Sequence, residues 1–246
     1  METNLAGKTV LITEAVLNFG QSTSLAFARE GCNLLLATRE GNEQLQKTAQ
    51  EASSLGARVA TQVCDISDQG QAQALAQRAI GEFGRIDVLI NNVSFPMPTH
   101  SLEQLPFELW RRKIGVELTG SFFLCKEVIP GMIQQQWGRV INFAGLAAFR
   151  GSDPLASTTE LGIVGLTRGI AREYGKYNIT ANCVGPGGVA GEEGTGEDLD
   201  PPADRDALPR WGKPTEVAFL AVCLASEDAG YITGQCLLAN GGKYFL

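Results

Sequence analysis

Short apolar runs alternate along the chain with longer segments in which apolar residues recur three and four positions apart. The runs fall at residues 9–13, 33–37, 58–63, 88–91, 140–143, 180–184 and 236–239. Their length and largely apolar content predict strands buried in a sheet. The helical periodicity covers residues 21–30, 42–54, 69–83, 106–135, 157–174 and 214–225. Strict alternation of the two predicts a parallel α/β sheet with helices on both faces and right-handed crossovers. No repeat or linker divides the chain, so residues 1–246 are read as one domain. Residues 185–207, GPGGVAGEEGTGEDLDPPADRDA, break the pattern, with Val189 and Leu199 as their only large apolar side chains. A flexible acidic surface loop over about 187–207 is expected there.

Composition narrows this picture. At 246 residues and 44% hydrophobic content, the chain can bury a full core. A formal charge of −7 and the absence of a basic stripe argue against a nucleic-acid partner. No apolar run reaches the roughly 18 residues of a membrane span, and the N-terminus runs straight into a strand, so a cytoplasmic, membrane-free protein is expected. Six cysteines (Cys32, Cys64, Cys125, Cys183, Cys223, Cys236) lie far apart with no CxxC pair and one histidine, His100. That spacing predicts reduced core thiols and no metal site.

The stretch LITEAVLNFGQSTSLAFAREGCNLLLATRE, residues 11–40, has the strand, loop, helix, strand layout of a nucleotide-binding turn. Further motifs are CDISD (64–68), FGRIDVLINN (83–92), WGRVINF (137–143), GIVGLTRGIAREYGKYNITAN (162–182), GPGG (185–188) and the segment 210–242. In this order they resemble the short-chain dehydrogenase/reductase family over essentially the whole chain. The resemblance implies a Rossmann-type three-layer α/β/α sandwich with a doubly wound parallel sheet, binding NAD or NADP at the carboxyl ends of its strands.

The family's site residues, carried over position by position, are largely missing. Its TGxxxGxG turn reads Thr13, Glu14, Asn18 and Gly20 here, so two of three glycines are gone. A carboxylate at Glu14 crowds a pyrophosphate, and two like charges about 4 Å apart at an effective dielectric near 20 repel by roughly 4 kcal/mol. At the end of the second strand Thr38 and Arg39 stand where NAD-type members carry an acid. Arg39 suits a 2′-phosphate and suits a solvated surface equally. Asp65 matches the family's adenine contact and Asn91 opens its NNAG motif, although both also suit strand ends that cap backbone groups. The resemblance implies a catalytic Ser, Tyr, Lys and Asn, and these positions hold Gly145, Ala156, Glu160 and Glu117. All four are vacated, and the family's nicotinamide-contacting Thr falls on Gly191.

The segments that assemble the family's tetramers look retained: the helices over 105–135 and 157–174, and the elements at 214–225 and 234–239. Along the second helix Leu161, Gly162, Val164, Gly165, Thr167 and Ile170 suit close packing between protomers, about half of them being core-facing. The resemblance therefore implies a non-catalytic subunit, with no cofactor expected on this chain. It would assemble as a heterotetramer with an active paralogue of the same family, which carries NAD or NADP and acts on an acyl-CoA substrate of aromatic degradation. Two other readings stay open. One is a cofactor-independent enzyme that uses Glu117 and Glu160 as acid and base. The other is a nucleotide-sensing module that keeps residual contacts at Arg39, Asp65 and Asn91.

Overall fold

The computed structural model describes residues 2–95, 98, 100–145, 147–151, 153–190 and 207–245. Seven strands form one sheet: β1 (Thr9–Ile12), β2 (Asn33–Thr38), β3 (Val59–Val63), β4 (Val88–Asn91), β5 (Gly138–Phe143), β6 (Ile179–Pro186) and β7 (Cys236–Ala239). The order is β3-β2-β1-β4-β5-β6-β7 and every pairing is parallel. Strand order reverses between β1 and β4, and the crevice outside the carboxyl ends there is where such sheets receive ligands.

Alternation along the strands divides the core between the two faces. Val10, Ile12, Leu34, Leu36, Val88 and Ile90 face one hydrophobic cluster, with Phe27, Val217 and Ala221. Leu11, Leu35 and Leu89 face the other, with Leu75, Leu124, Val128 and Ile170. Because helices cover both faces, the strands are apolar on both sides, as the uninterrupted TVLI and NLLLA runs require. Each such fully buried Leu or Ile contributes about 1.5–3 kcal/mol.

The helices are α1 (Leu17–Arg29), α2 (Asn42–Ser54), α3 (Gln69–Phe83), α4 (Phe107–Lys113), α5 (Gly120–Gln135), α6 (Ala147–Arg150), α7 (Pro154–Tyr174) and α8 (Pro214–Ala225). Leu45, Thr48, Ala49 and Ala52 give α2 the buried stripe that its periodicity predicts. Asp68 caps α3 by accepting from the Gln71 amide, and Asp153 caps α7 by accepting from the Ala156 amide, with Pro154 in the first turn.

Three boundaries depart from the sequence expectation. Helix α1 starts at Leu17, before residue 21, which shortens the turn after β1. The single helix expected over 106–135 is interrupted by a π-helical segment, Ile114–Thr119. The short helix α6 was not expected at all. Of the expected acidic loop, residues 187–190 are held in place: the Gly187 amide donates to Ala239 O at 2.9 Å, and Val189 is buried and bridges to Gly212. Residues 191–206 lie outside the described residues, and Gly191 with them.

Along α7, Val164, Thr167 and Ile170 face the core, whereas Leu161 and Gly165 point outward. Gly162 packs against Leu118, leaving no room for a Cβ. Large apolar side chains also stand exposed on α5 (Phe122) and α8 (Phe219), and just before β7 (Tyr231 and Ile232). Among the described residues no helix is long and apolar enough to cross a membrane.

Candidate functional site

The site begins at the turn after β1. Thr13 donates its amide to Ile90 O at 3.1 Å, and its hydroxyl accepts from the Asn92 amide at 3.0 Å, which ties β1 to β4 across the switch point. Glu14 follows with a left-handed φ of 45°. Its half-buried carboxylate is turned to the end of β2: Oε1 accepts from the Arg39 amide at 3.0 Å and Oε2 from the Thr38 hydroxyl at 3.0 Å. Asn92 Nδ2 holds the Glu14 carbonyl at 3.1 Å. A Cβ on Gly20 would sit 1.9 Å from that carbonyl oxygen, so this remaining glycine is dictated by the close approach of helix and turn. Asn18, where the family has a glycine, keeps a glycine-like φ of 44° and ψ of −118°, a strain on the order of 1–3 kcal/mol. Phe19 lies beside Phe143 at the end of β5, ring centroids 6.2 Å apart.

Opposite this turn, the loop after β4 is clamped by two charged residues. Lys113 and Glu117 pair at 2.7 Å with both side chains under a tenth exposed. Glu117 Oε1 also accepts from the Phe95 amide at 2.7 Å, and Lys113 Nζ donates to Phe95 O at 3.2 Å. Glu117 is buried within the π-helical turn Ile114–Thr119. The guanidiniums of Arg39 and Arg112 lie 5.2 and 5.3 Å from the Phe95 ring centroid. Arg39 otherwise makes a loose 3.5 Å ion pair with exposed Glu40.

Glu160 fills the other end. Its Oε2 accepts from the Ala148 amide at 2.8 Å, which pins α6, and its Oε1 lies 2.7 Å from where a Cβ on Gly145 would be. The carboxylate thus occupies the space a residue-145 side chain would need. Burial raises the Glu160 pKa to about 7; the Ala148 amide and Lys113 oppose the rise, and Glu117 and Asp153 reinforce it.

The structure brings Glu14, Thr38 and Arg39 together, and likewise Gly145 with Glu160, while Ala156 lies in the capped first turn of α7. Asn91 and Asp65, for which a cofactor contact and a strand-end role were both open, are engaged within the fold. The Asn91 side chain turns into the core, donating to Asn142 Oδ1 at 2.8 Å, with Cys125 Sγ at 3.6 Å. It is 1% exposed, which favours the structural of the two roles left open for it. Asp65 directs Oδ1 to the amide and hydroxyl of Ser67 at 2.9 and 2.6 Å, a local turn cap before α3. Glu117 does not offer an unpaired carboxylate, because Lys113 neutralises it. Sequence reasoning missed Lys113 and Phe95, although the Lys–Glu spacing of four within one helical pattern was a readable signal.

A cavity of about 240 Å³ lies apart from these groups, beside the carboxyl ends of β6 and β7. It is lined by Val189, Leu208, Arg210, Lys213, Leu238 and Asn240 among others. Arg210 and Glu216 pair across its rim at 2.7 Å.

Residues 17–243 match the family described as Enoyl-(Acyl carrier protein) reductase. The chain is 33% identical over 245 residues to the 3-oxoacyl-[acyl-carrier-protein] reductase FabG of Thermotoga maritima, covering 97% of this chain and 98% of that protein. It is 32% identical over 244 residues to the (2S)-[(R)-hydroxy(phenyl)methyl]succinyl-CoA dehydrogenase subunit BbsD of Thauera aromatica, covering 97% of each. Among solved structures it resembles NAD+-bound xylitol dehydrogenase with a TM-score of 0.88 and 26% identity, covering 97% of this chain and all of that one.

Proposed function

The chain belongs to the short-chain dehydrogenase/reductase family of oxidoreductases, and from that premise we propose that it is a non-catalytic subunit. It assembles in the cytoplasm with an active paralogue that carries NAD or NADP, as a heterotetramer. The observation that carries this reading is the filled crevice. Gly145, Ala156, Glu160 and Glu117 stand at the four positions matched to the family's catalytic set; Glu160 fills the space beside Gly145, Glu117 is bound to Lys113 and the Phe95 amide, and Glu14 is bound to the end of β2. The residues of this turn do not fit a dinucleotide. Glu14 sits on the end of β2, where a ribose would be held, and brings charge of the sign that repels a pyrophosphate.

The similarity to BbsD, named as one subunit of a succinyl-CoA dehydrogenase, supports an acyl-CoA substrate of aromatic degradation for the complex, with the chemistry on the partner. The carboxylate-pair reading is weaker, because Glu117 is bound to Lys113 and Phe95 and is not poised as a base. The nucleotide-sensing reading loses Asn91 to the core and Asp65 to a turn cap.

The test is to recover the tagged chain from its native host, weigh the eluate by native mass spectrometry and assay it for nicotinamide reduction. A second family member in fixed stoichiometry, with activity absent from this chain alone, supports the proposal. A homo-oligomer of this chain that turns over substrate by itself overturns it.

A further inference from the structure

Strands β6 and β7 pair in parallel with Cys183 directly opposite Cys236. In-register neighbours on adjacent strands lie about 4.8 Å apart, inside the roughly 4.4–6.8 Å Cα separation that a disulfide spans. Side chains of such partners leave the sheet on the same face, and the two thiols are within hydrogen-bonding reach of each other. Cys183 is fully buried and its Sγ contacts the Thr167 hydroxyl at 3.0 Å. Cys236 is half-buried on the edge strand β7 and packs against the cluster that contains Cys183. The pair therefore joins a fully buried cysteine to a less buried one at the edge of the sheet.

We propose that Cys183 and Cys236 form a redox-responsive dithiol that hydroperoxides convert to a disulfide between β6 and β7. This inference does not rest on the subunit reading above. Electrostatics favour this pair over the other cysteines. Hydrogen bonds from Cys236 and Thr167, with Arg168 nearby, hold the Cys183 thiol below its ordinary range despite burial, while the Cys183 contact and burial raise Cys236. The thiolate of the pair thus rests on Cys183 and the proton on Cys236, from which it can pass to Cys183. Burial pushes the thiols of Cys32, Cys64 and Cys125 up to about 12, and what sets Cys236 apart from them is a neighbouring thiol, Cys183, able to take its proton.

The chemistry balances as follows. Cys183 takes the proton from Cys236, and the Cys236 thiolate attacks the distal oxygen of the hydroperoxide. The O–O bond breaks, the leaving alkoxide takes that proton as an alcohol, and Cys236 becomes a sulfenic acid. The Cys183 thiolate then attacks the Cys236 sulfur, the S–O bond breaks, and hydroxide leaves as water with a solvent proton. The two sulfurs together give up two electrons, one each, and the O–O bond of the peroxide takes both, yielding one alcohol and one water. Because the Cβ atoms of parallel neighbours point the same way instead of toward each other, the bond is strained and readily reduced, as a reversible device requires.

The experiment treats the reduced full-length chain with a small excess of hydrogen peroxide and follows intact mass and thiol alkylation. The expected result is a loss of about 2 Da, a single cross-linked peptide pair containing Cys183 and Cys236, and full reversal by dithiothreitol. Cys236 should lose alkylation at least about tenfold faster than Cys223, a half-exposed thiol with no partner cysteine beside it. In Cys183→Ala, Cys236 should stop at the sulfenic acid and form a dimedone adduct with no loss of mass. Should that variant not fold, Cys236→Ala serves, and its Cys183 should stay unoxidised. A disulfide joining any other pair, overoxidation of Cys236 without cross-linking, or full alkylation of both thiols after peroxide overturns the proposal.

Discussion

In the crevice at the carboxyl ends of β1, β4 and β5, charged side chains are directed at this chain's own backbone. Glu14 binds the end of β2, Glu117 and Lys113 bind the Phe95 peptide, and Glu160 binds α6. On the outer faces of α5, α7 and α8 the opposite holds, for Phe122, Leu161 and Phe219 stand 46%, 48% and 64% exposed. A crevice whose carboxylates are taken up by its own amides, hydroxyl and lysine has few of them left for a ligand, although Arg39 Nε and Nη1 stay without a hydrogen-bond partner there, and a face that leaves aromatic and branched side chains uncovered has something left to bury. Under the proposed subunit reading, this difference assigns the chain's role to its outer faces.

The largest expected effect lies in the crevice. Lys113→Met leaves the Glu117 carboxylate buried with only an amide to answer it, which should cost about 3–5 kcal/mol in a urea titration. Adding Glu117→Leu removes the orphaned charge and should restore most of that loss. A single-variant cost under about 1 kcal/mol would mean that the pair is hydrated and the crevice open, and the contrast with the outer faces would break.

Next in size is the pH dependence set by Glu160. Its folded-state pKa of about 7 lies above the ordinary 4.5. Between those values the folded chain keeps a proton that the unfolded chain has released. Stability should therefore fall as pH rises from about 4.5 to about 7 and level off above, by on the order of 3 kcal/mol. Glu160→Gln should flatten that slope and be the more stable protein at pH 8. Parallel pH profiles for parent and variant would show a solvated Glu160.

Smaller, and on the other side of the comparison, are the outer faces. Phe219→Asp and Leu161→Glu should each weaken assembly with the partner roughly ten- to a hundredfold. The thermal midpoint of the isolated chain should stay within a few degrees of the parent. A drop in that midpoint with assembly intact would mark these side chains as part of this chain's own fold.

The layered fold was readable because its signal is local and repeated: each buried strand is a run such as VLIT or NLLLA, and each helix has its own stripe. The expectation of vacated catalytic positions came from a different signal, the letters themselves, since no Tyr precedes Tyr174 and no Lys lies between Lys126 and Lys176. What replaced them was not readable, because the Lys113–Glu117–Phe95 clamp joins residues 18 to 22 positions apart through a π-helical turn that no periodicity announces. The side-chain directions of Glu14 and Asn91 were hidden likewise. Whether a carboxylate at position 14 faces solvent, phosphate or Thr38 depends on a strained backbone angle, and whether Asn91 faces crevice or core depends on Asn142, 51 residues away.

The smallest effect on stability, and the sharpest probe of the crevice, is Glu14→Gly. It relieves a left-handed φ worth about 1–2 kcal/mol and gives up two hydrogen bonds worth about 0.5–1.5 kcal/mol each. Those terms oppose each other, so the unfolding free energy should move by no more than about 1 kcal/mol. With the fold thus preserved, any gain in ligand binding reports the crevice alone. Combined with Asn18→Gly, the variant should show saturable NADH fluorescence with a Kd below about 1 mM, the parent none in that range. A parent that itself binds NADH below about 100 µM would mean that Glu14 yields to the pyrophosphate at small cost. The crevice would then be a working site, and the exposed faces alone could no longer explain what this chain is for.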